Sequence, residues 1–220
     1  MKRSEVNAIQ TNAKEFLAKH AWSLPKWAFW SPADWQGRGS EIAEIKECML
    51  GWDVTDFGSG DFNKRGLFLF TLRNGNLQGK SKKQYAEKIM LVQPHQETPM
   101  HFHRFKMEDI INRGGGELCI QLYGSTEDEK LSNDPLTVSI DGISRTIRAG
   151  DIVSLQVGES ICLEPFMYHR FWAEKGTTLV GEVSLVNDDN SDNRFFENVG
   201  RFPAIEEDET PLHLLVSDYT

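Results

Sequence analysis

The amino-acid sequence predicts a mainly β protein, in which a barrel or sandwich of short strands follows a helical N-terminal segment. From Gly66 onward, short runs rich in β-forming residues recur about every ten residues with turn signals between them, as is typical of sandwiches and barrels. Asp141 and Gly142 separate two alternating runs, and this residue pair favours a tight hairpin turn. The predicted strands span residues 67–72, 89–92, 118–123, 136–140, 143–147, 152–155, 161–163 and 179–186.

The N-terminal segment differs in character from the strand-rich region. Residues 4–20 place apolar side chains at helical spacing, which predicts an amphipathic helix that packs on another surface. Residues 22–35 are rich in Trp and Pro, and we expect an irregular aromatic segment there. We therefore predict a single domain over residues 1–220, with a helical and aromatic arm (1–65), a barrel core (66–187) and a C-terminal loop and tail (188–220).

Composition and charge restrict the classes of partner. The formal net charge is −9 and the isoelectric point is near 5.2, whereas nucleic-acid-binding surfaces are usually clustered and basic. The three cysteines are widely spaced without a CxxC pair, which indicates reduced thiols. The first residues lack an apolar signal-peptide core, and no run approaches the roughly 18 apolar residues of a membrane-spanning helix. We expect a cytoplasmic protein that binds neither nucleic acid nor membrane.

A His-x-His pair followed by a glutamate is the sharpest chemical signal in the chain. Side chains two apart on a strand face the same side, so the imidazoles of His101 and His103 can converge on one ion. Glu108 follows at a distance that allows a bend before its carboxylate returns to the same centre, and His169 is available as a fourth ligand. Nitrogen and oxygen ligands suit a borderline to hard divalent metal. On an octahedral ion these ligands would leave open positions, which indicates catalysis or small-ligand binding.

The same residues resemble the first sequence motif of the cupin superfamily. That motif has the form Gly, five residues, His-x-His, three or four residues, Glu, six residues, Gly. The matching residues in this chain are His101, His103, Glu108 and Gly115, with a four-residue gap before the glutamate. His95 replaces the leading Gly, which is a departure from the motif.

The second cupin motif is recognisable in Gly158, Pro165 and His169. Met167 stands where the superfamily often has Gly, and the Asn that usually follows the last His is absent. The resemblance implies a jelly-roll β-barrel that holds one metal ion. It implies no particular reaction, because cupins host many functions.

A closer resemblance to the bacterial D-lyxose isomerase family covers nearly the whole chain. It is carried by residues 48–62, by TPMHFHRFKMEDIINRGGGEL (98–118) and by RFFENVGRFPAIEEDE (194–209). That family consists of cupin sugar isomerases that use Mn²⁺. The resemblance implies interconversion of D-lyxose and D-xylulose, and also of D-mannose and D-fructose, with Mn²⁺, Co²⁺ or another divalent ion. By analogy with cupins that pair through sheet edges, we expect a homodimer.

Isomerisation of an aldose by way of an enediol moves a proton between C1 and C2, which requires a base beside the metal. Lys106 lies two residues before Glu108 and would point to the same side in an extended segment, with an electrostatic role or a lowered pKa. Glu182 interrupts the apolar run 179–183, where an unpaired carboxylate is costly unless it is exposed or functional. We predict catalytic roles for Lys106 and Glu182, the latter as base or substrate ligand.

Three further residues are candidates for binding the sugar. Lys88 begins the strand before the histidine pair and can contact hydroxyl groups. Residues 187–194 are dense in polar groups, and within them Asp192 and Arg194 precede two phenylalanines. We predict that Asp192 and Arg194 belong to a loop that closes over the substrate.

Two other functions use the same ligand set. A cupin dioxygenase could bind Fe²⁺ through the three histidines and the glutamate, and it would consume oxygen. A non-catalytic cupin could bind a sugar and control a partner protein, and it would show binding without turnover. Composition and spacing do not separate these alternatives from an isomerase.

Overall fold

Eleven strands and three helices are present in the residues that a computed structural model describes, namely 1–79, 81–188 and 191–219. The helices are α1 (Arg3–Lys19), α2 (Pro32–Trp35) and α3 (Ala43–Glu47), and 3₁₀ turns cover Lys26–Phe29, Ser40–Ile42 and Val216–Asp218. The strands are β1 (Gly51–Thr55), β2 (Leu67–Arg73), β3 (Tyr85–Val92), β4 (Thr98–His103), β5 (Glu108–Gly124), β6 (Leu136–Ile140), β7 (Ile143–Ile147), β8 (Ile152–Leu155), β9 (Ser160–Leu163), β10 (Met167–Leu185) and β11 (Asn193–Phe195).

Two long strands, β5 and β10, pair with each other and organise the antiparallel sheet. The first half of β5 and the second half of β10 lie in a layer with the strand order β1-β2-β3-β10-β5-β9-β6-β7. Their other halves form a second layer with β4, β8 and β11, because β4 pairs with the start of β10 and β8 with the end of β5. Two layers of antiparallel strands that share long bent strands form a jelly roll, so the predicted fold class is confirmed.

A glycine corner lets β5 and β10 pass from one layer to the other. Gly115 has a φ of +90°, and a Cβ at this position would lie 2.1 Å from the carbonyl oxygen of Thr177. A Cβ at Gly116 would lie 2.3 Å from the carbonyl oxygen of Gly176. Only glycine allows backbones to approach this closely, and the corner therefore depends on the Gly-rich run of β5.

The space between the two layers holds the main core, which includes Leu69, Met90, Ile120, Leu155 and Phe171. Side chains two residues apart on a strand face the same side, and at one end of the interior these inward positions become polar. The buried polar residues are Asp53 on β1, Thr71 on β2, Lys88 on β3 and Glu182 on β10. Buried polar groups need partners, so this end of the interior is the place to search for a functional site.

The N-terminal helix packs on the outer face of the first strands, as its apolar spacing predicts. Val6, Ala13 and Leu17 of α1 are buried against Trp52 and Phe70 in a second apolar cluster. The start of α1 is fixed to the end of the chain, because the buried Arg3 guanidinium lies 2.6 Å from Glu207 and 3.0 Å from Asp218. In the part of the chain that the structure describes, every helix is too short or too polar to cross a bilayer.

The structure corrects the predicted segment boundaries in three places. Residues 1–65 are not only helical and aromatic, because β1 lies within them and pairs with β2. The predicted C-terminal loop contains β11, which pairs with β4. The predicted strands 118–123 and 179–186 are parts of the much longer β5 and β10, whose pattern is interrupted at the glycine corner.

The hairpin between β6 and β7 forms at the predicted place. Ile140 pairs with Ile143, and the two turn residues Asp141 and Gly142 have φ angles of +51° and +77°. A Cβ at Gly142 would meet no atom within 4 Å, so a substitution there changes only backbone preference. We expect Gly142→Val to lower the free energy of unfolding by about 1–2 kcal/mol, because branched residues resist this left-handed conformation. Urea denaturation measures the loss, and Gly142→Asn, which tolerates the conformation better, should lose clearly less.

Candidate metal centre and active site

Three buried histidines converge in the interior between the two layers. His101 and His103 lie on β4, and His169 lies near the start of β10 as the register partner of His101. One ring nitrogen from each of the three lies within 4.8 Å of the other two. The intervening Phe102 points to the opposite face, where it packs with Met100 and Tyr168. The predicted convergence of the histidine pair is thus seen in the structure, with His169 beside it.

Backbone carbonyls set the orientation of two of these rings. His101 Nδ1 lies 2.7 Å from the carbonyl oxygen of Pro99, and His169 Nδ1 lies 3.0 Å from that of Met167. An Nδ1–H that donates to a carbonyl leaves Nε2 with a free lone pair, which is the tautomer a metal ligand needs. Burial, together with the neighbouring histidines, lowers the pKa of His101 well below its usual value and favours the neutral ring.

Glu108 begins β5 and brings its carboxylate to the histidines. Its Oε1 lies 3.2 Å from His169 Nε2 and 3.4 Å from His103 Nε2. Burial opposes ionisation of Glu108, but Lys106 and His103 outweigh it and hold the pKa of the carboxyl well below its usual range. Three imidazole nitrogens and an ionised carboxylate oxygen form a donor set that fits a divalent ion such as Mn²⁺.

A buried network of two lysines and a glutamate lies beside this cluster. Lys106 Nζ lies 2.6 Å from Glu108 Oε2 and 2.9 Å from Glu182 Oε1. Lys88 Nζ lies 3.1 Å from Glu182 Oε1. Burial raises the pKa of Glu182, but the two lysines outweigh this effect and lower it, so that the carboxylate is ionised. Lys88, Lys106 and Glu182 therefore occupy the interior beside the candidate metal ligands, as predicted from the sequence.

The side-chain nitrogen of Lys106 lies between two carboxylates. Burial alone would lower the pKa of Lys106, but Glu108 and Glu182 raise it above its ordinary value. These two carboxylates favour the electrostatic role predicted for Lys106, and its part in catalysis stays a prediction. An ammonium in this position compensates two buried carboxylates, which would otherwise be costly to ionise.

Asn187, which the sequence did not single out as a site residue, joins the two lysines. Its Oδ1 accepts hydrogen bonds from Lys88 Nζ at 2.7 Å and from Lys106 Nζ at 3.3 Å. The side chain of Asn74 fixes its backbone, since the Asn187 N–H donates to Asn74 Oδ1 and Asn74 Nδ2 donates to the Asn187 carbonyl. Asn187 is the first residue of the polar run 187–194, of which residues 189 and 190 lie outside the described residues.

These groups open into a pocket of about 470 Å³, called here the reaction pocket. Its polar wall consists of the groups described above together with Asn193 and Arg201, and its apolar wall includes Leu69, Met90 and Phe195. Arg201 was also missed by the sequence analysis, and its guanidinium lies 2.6 Å from the Asp53 carboxylate. A concave site with an apolar wall and a few convergent polar groups is typical of small-molecule sites.

The structure places Asp192 and Arg194 outside the lining of the reaction pocket. Arg194 Nε donates to Glu129 at 3.0 Å, in an ion pair on the outer side of β4. The carboxylate of Asp192 accepts the backbone N–H of Phe105 at 2.8 Å and that of Lys106 at 3.2 Å. Both side chains are bonded to protein groups here, and the predicted contact of Asp192 and Arg194 with substrate stays a prediction.

Asp192 instead holds the loop between β4 and β5, which carries His103 and Lys106 at its ends. His103 Nδ1 is buried and lies 3.7 Å from Asp192 Oδ2. We expect Asp192→Asn to weaken Mn²⁺ binding about tenfold, because asparagine replaces one of the two acceptor oxygens with an NH₂ donor that faces a backbone N–H, and partners around metal ligands typically contribute 10–100-fold. Calorimetric Mn²⁺ titration measures the change, with Ser191→Ala as the matched loop control. An affinity equal to that of the wild type would show that this anchor is dispensable.

Two solved structures with a similar fold are L-ribose isomerases. L-ribose isomerase from Cellulomonas parahominis, solved with L-ribose, is 15% identical with a TM-score of 0.61, and the match covers 94% of this chain and 98% of that one. L-ribose isomerase from Geodermatophilus obscurus is 16% identical with a TM-score of 0.62 and the same coverage. The fold is therefore that of the cupin sugar isomerases, and the jelly roll predicted from the cupin motifs is confirmed.

The sequence relatives identify the family. A family model described as D-lyxose isomerase matches residues 1–219. A D-lyxose/D-mannose isomerase from Serratia proteamaculans is 49% identical over all of this chain and 98% of the relative, and one from Escherichia coli O157:H7 is 48% identical with the same coverage. The chain belongs to the D-lyxose isomerase family and is an aldose–ketose isomerase. This confirms the resemblance noted in the sequence and decides against a dioxygenase or a non-catalytic cupin.

Proposed function

We propose that this protein is a metal-dependent isomerase that interconverts D-lyxose and D-xylulose, and D-mannose and D-fructose as a second pair. The relatives of 48–49% identity carry the name D-lyxose/D-mannose isomerase, which supports the two aldoses as substrates. Each ketose follows from its aldose by moving the carbonyl from C1 to C2. We further propose a cytoplasmic homodimer in which residues 1–220 form one domain, on the basis of the resemblances alone.

The proposed cofactor is one Mn²⁺, with Co²⁺ or another divalent ion as a substitute, held by His101, His103, Glu108 and His169. The three ring nitrogens within 4.8 Å and the adjacent Glu108 carboxylate support this ligand set. A bound divalent ion would act as a Lewis acid that polarises a sugar carbonyl. Imidazole and carboxylate ligands without a thiolate favour Mn²⁺ over a structural zinc ion.

Glu182 is the proposed base. Its carboxylate takes the proton from C2 of the open-chain aldose, the C–H electron pair forms the C1–C2 double bond, and the electrons of the C1 carbonyl move to its oxygen, which takes a proton from water. In the resulting enediol, the C2 hydroxyl returns a proton to the solvent and becomes the new carbonyl, while C1 receives the proton held by Glu182, so that a ketose is formed. An ionised carboxylate inside the reaction pocket suits this role, because a base must be deprotonated to act.

The two lysines assist the proton transfer electrostatically. The Lys106 ammonium touches both the base and the proposed ligand Glu108, so it can stabilise negative charge that develops on the sugar oxygens. Lys88 holds Glu182 from the other side and also bonds Asn187, where it can donate to a sugar hydroxyl. Both cations keep Glu182 ionised and oriented within the pocket.

The observation that carries this proposal is the contact chain from the histidines through Glu108 and Lys106 to Glu182 within one pocket. The test is to incubate protein loaded with Mn²⁺ with D-lyxose under nitrogen and to measure D-xylulose by chromatography. We expect turnover without oxygen, loss of turnover after chelation, and recovery when Mn²⁺ is returned. Turnover that survives complete chelation would contradict metal dependence, and conversion of other pentoses at a higher kcat/KM would contradict the substrate assignment.

A further inference from the structure

A second cavity of about 850 Å³ adjoins the reaction pocket. The two share Asn187, whose side chain contacts Lys88 and Lys106 on one side. The ion pair between Arg201 and Asp53 separates them elsewhere, because Arg201 lines the reaction pocket and Asp53 lines the second cavity. The boundary between the two spaces therefore consists of polar side chains and not of backbone.

The second cavity continues the polar interior face of the sheet. Thr71 lines it and is the register partner of Lys88, which lines the reaction pocket. Asp53 is paired in register with Leu69, another residue of the reaction pocket. Neighbouring strands lie roughly 5 Å apart, so a molecule longer than the reaction pocket reaches these residues by extending along the same face.

The side chains around the second cavity fit a neutral hydroxylated group. Thr71 offers a hydroxyl, which both donates and accepts hydrogen bonds, whereas the amides of Asn74 and Asn76 are bonded to backbone groups and form a polar wall around it. Glu47, Asp53 and Asp188 supply carboxylates, and the described residues of its lining include no lysine or arginine. Such a lining accepts hydrogen bonds from hydroxyl groups and repels a phosphate.

We propose that the second cavity is the subsite for the distal end of an aldohexose, the part of the chain that a pentose lacks. This inference rests on the proposed function, which places C1 and C2 beside Glu108 and Glu182. Lys106 contacts both Glu108 and Asn187 Oδ1, so one side chain links the reacting end of the pocket to Asn187. A short carbon chain extended along this polar wall therefore ends at Asn187, the boundary between the two cavities. A sixth carbon with its hydroxyl then enters the second cavity beside Thr71.

The test compares D-mannose with D-lyxose, which have the same configuration from C2 to C4. Thr71→Ile places a larger side chain in the second cavity, whereas Thr71→Ser keeps the hydroxyl without adding bulk and serves as the matched control. We expect Thr71→Ile to lower the ratio of kcat/KM for D-mannose to that for D-lyxose at least tenfold, since one methylene in a pocket discriminates by about 10–200-fold. Thr71→Ser should change this ratio less than threefold. The effect should lie in KM for the hexose.

A second variant covers the case in which Thr71→Ile does not fold. Leu77 lines the second cavity and is 73% exposed, so Leu77→Trp adds bulk at the rim without disturbing the core. It should shift the same ratio in the same direction, whereas Leu77→Ala should not. D-mannose 6-phosphate should not be turned over by the wild type. Turnover of this phosphate at the rate of D-mannose would overturn the proposal.

The outcomes separate the subsite from the function on which it rests. Equal loss of kcat/KM for both sugars in Thr71→Ile and Leu77→Trp, with wild-type turnover intact, would overturn only the subsite. Failure of the Mn²⁺-loaded wild type to convert either sugar would overturn the proposed function and the subsite with it.

Discussion

Replacing Glu182 with glutamine is expected to lower kcat for D-lyxose at least about 100-fold, because a positioned general base contributes roughly 10²–10⁴-fold. Glutamine keeps the size of the side chain and retains an oxygen that can accept the Lys106 hydrogen bond, which is 2.9 Å long in the wild type. What it loses is the ability to take a proton from C2. The Mn²⁺ content should remain that of the wild type, because Glu182 is not among the proposed ligands. Steady-state kinetics with saturating Mn²⁺, together with metal analysis, measures both quantities.

Ser184→Ala is the matched control for this variant. The Ser184 hydroxyl donates to Glu182 Oε1 at 3.0 Å, so its removal disturbs the orientation of the base without removing it. The expected loss is about fivefold, which corresponds to roughly 1 kcal/mol for one hydrogen bond. In D₂O, wild-type product should carry deuterium at C1, because the proton that Glu182 holds while the enediol exists exchanges with solvent. An unimpaired rate in Glu182→Gln would remove this residue from the mechanism, and product free of deuterium would favour a hydride shift.

The strands could be predicted because most are short runs bounded by turn residues. The predicted strands coincide with β6, β7 and β8 at residues 136–140, 143–147 and 152–155. The hairpin turn depends on the backbone preferences of its own two residues, Asp141 and Gly142. The length of β5 and β10 could not be predicted, because the glycines that bend them have the same composition as a turn. Whether such a run ends a strand or bends it depends on the partner strand, here the backbone around Thr177.

The site likewise contains residues that are close together in the sequence, which could be predicted, and residues that are far apart in the sequence, which could not. Because alternate side chains of a strand face the same side, the sequence predicted that His101 and His103 lie together. The same alternation predicted that Lys106 lies near them, since all three residues are close in sequence. Arg201 and Asp53 meet across 148 positions of the chain, and no local pattern records that contact. Asp192 shows a different limit, because a polar loop predicts hydrogen bonding but not the partner. In the structure, the partner is the backbone of Phe105 and Lys106.

Replacing His103 with alanine is expected to lower the affinity for Mn²⁺ by more than about 100-fold, since even partners that only orient metal ligands contribute 10–100-fold. The variant removes a buried ring whose Nε2 lies 3.4 Å from Glu108, and among the described histidines the cluster then retains His101 and His169. Turnover of D-lyxose should fall with metal occupancy and recover in part at millimolar Mn²⁺. Calorimetric titration and metal analysis of the purified protein give the affinity and the occupancy.

His95→Ala is the matched control, because it removes a histidine eight positions away whose side chain is 76% exposed and outside the cluster. It should bind Mn²⁺ as the wild type does. His103→Gln covers the case in which alanine leaves too large a gap, since it restores volume and a weak ligand. Full metal occupancy in both His103 variants would refute the proposed coordination. Loss of Mn²⁺ with retained turnover would instead separate the chemistry from the metal and leave Lys106 and Glu182 to perform the proton transfer alone.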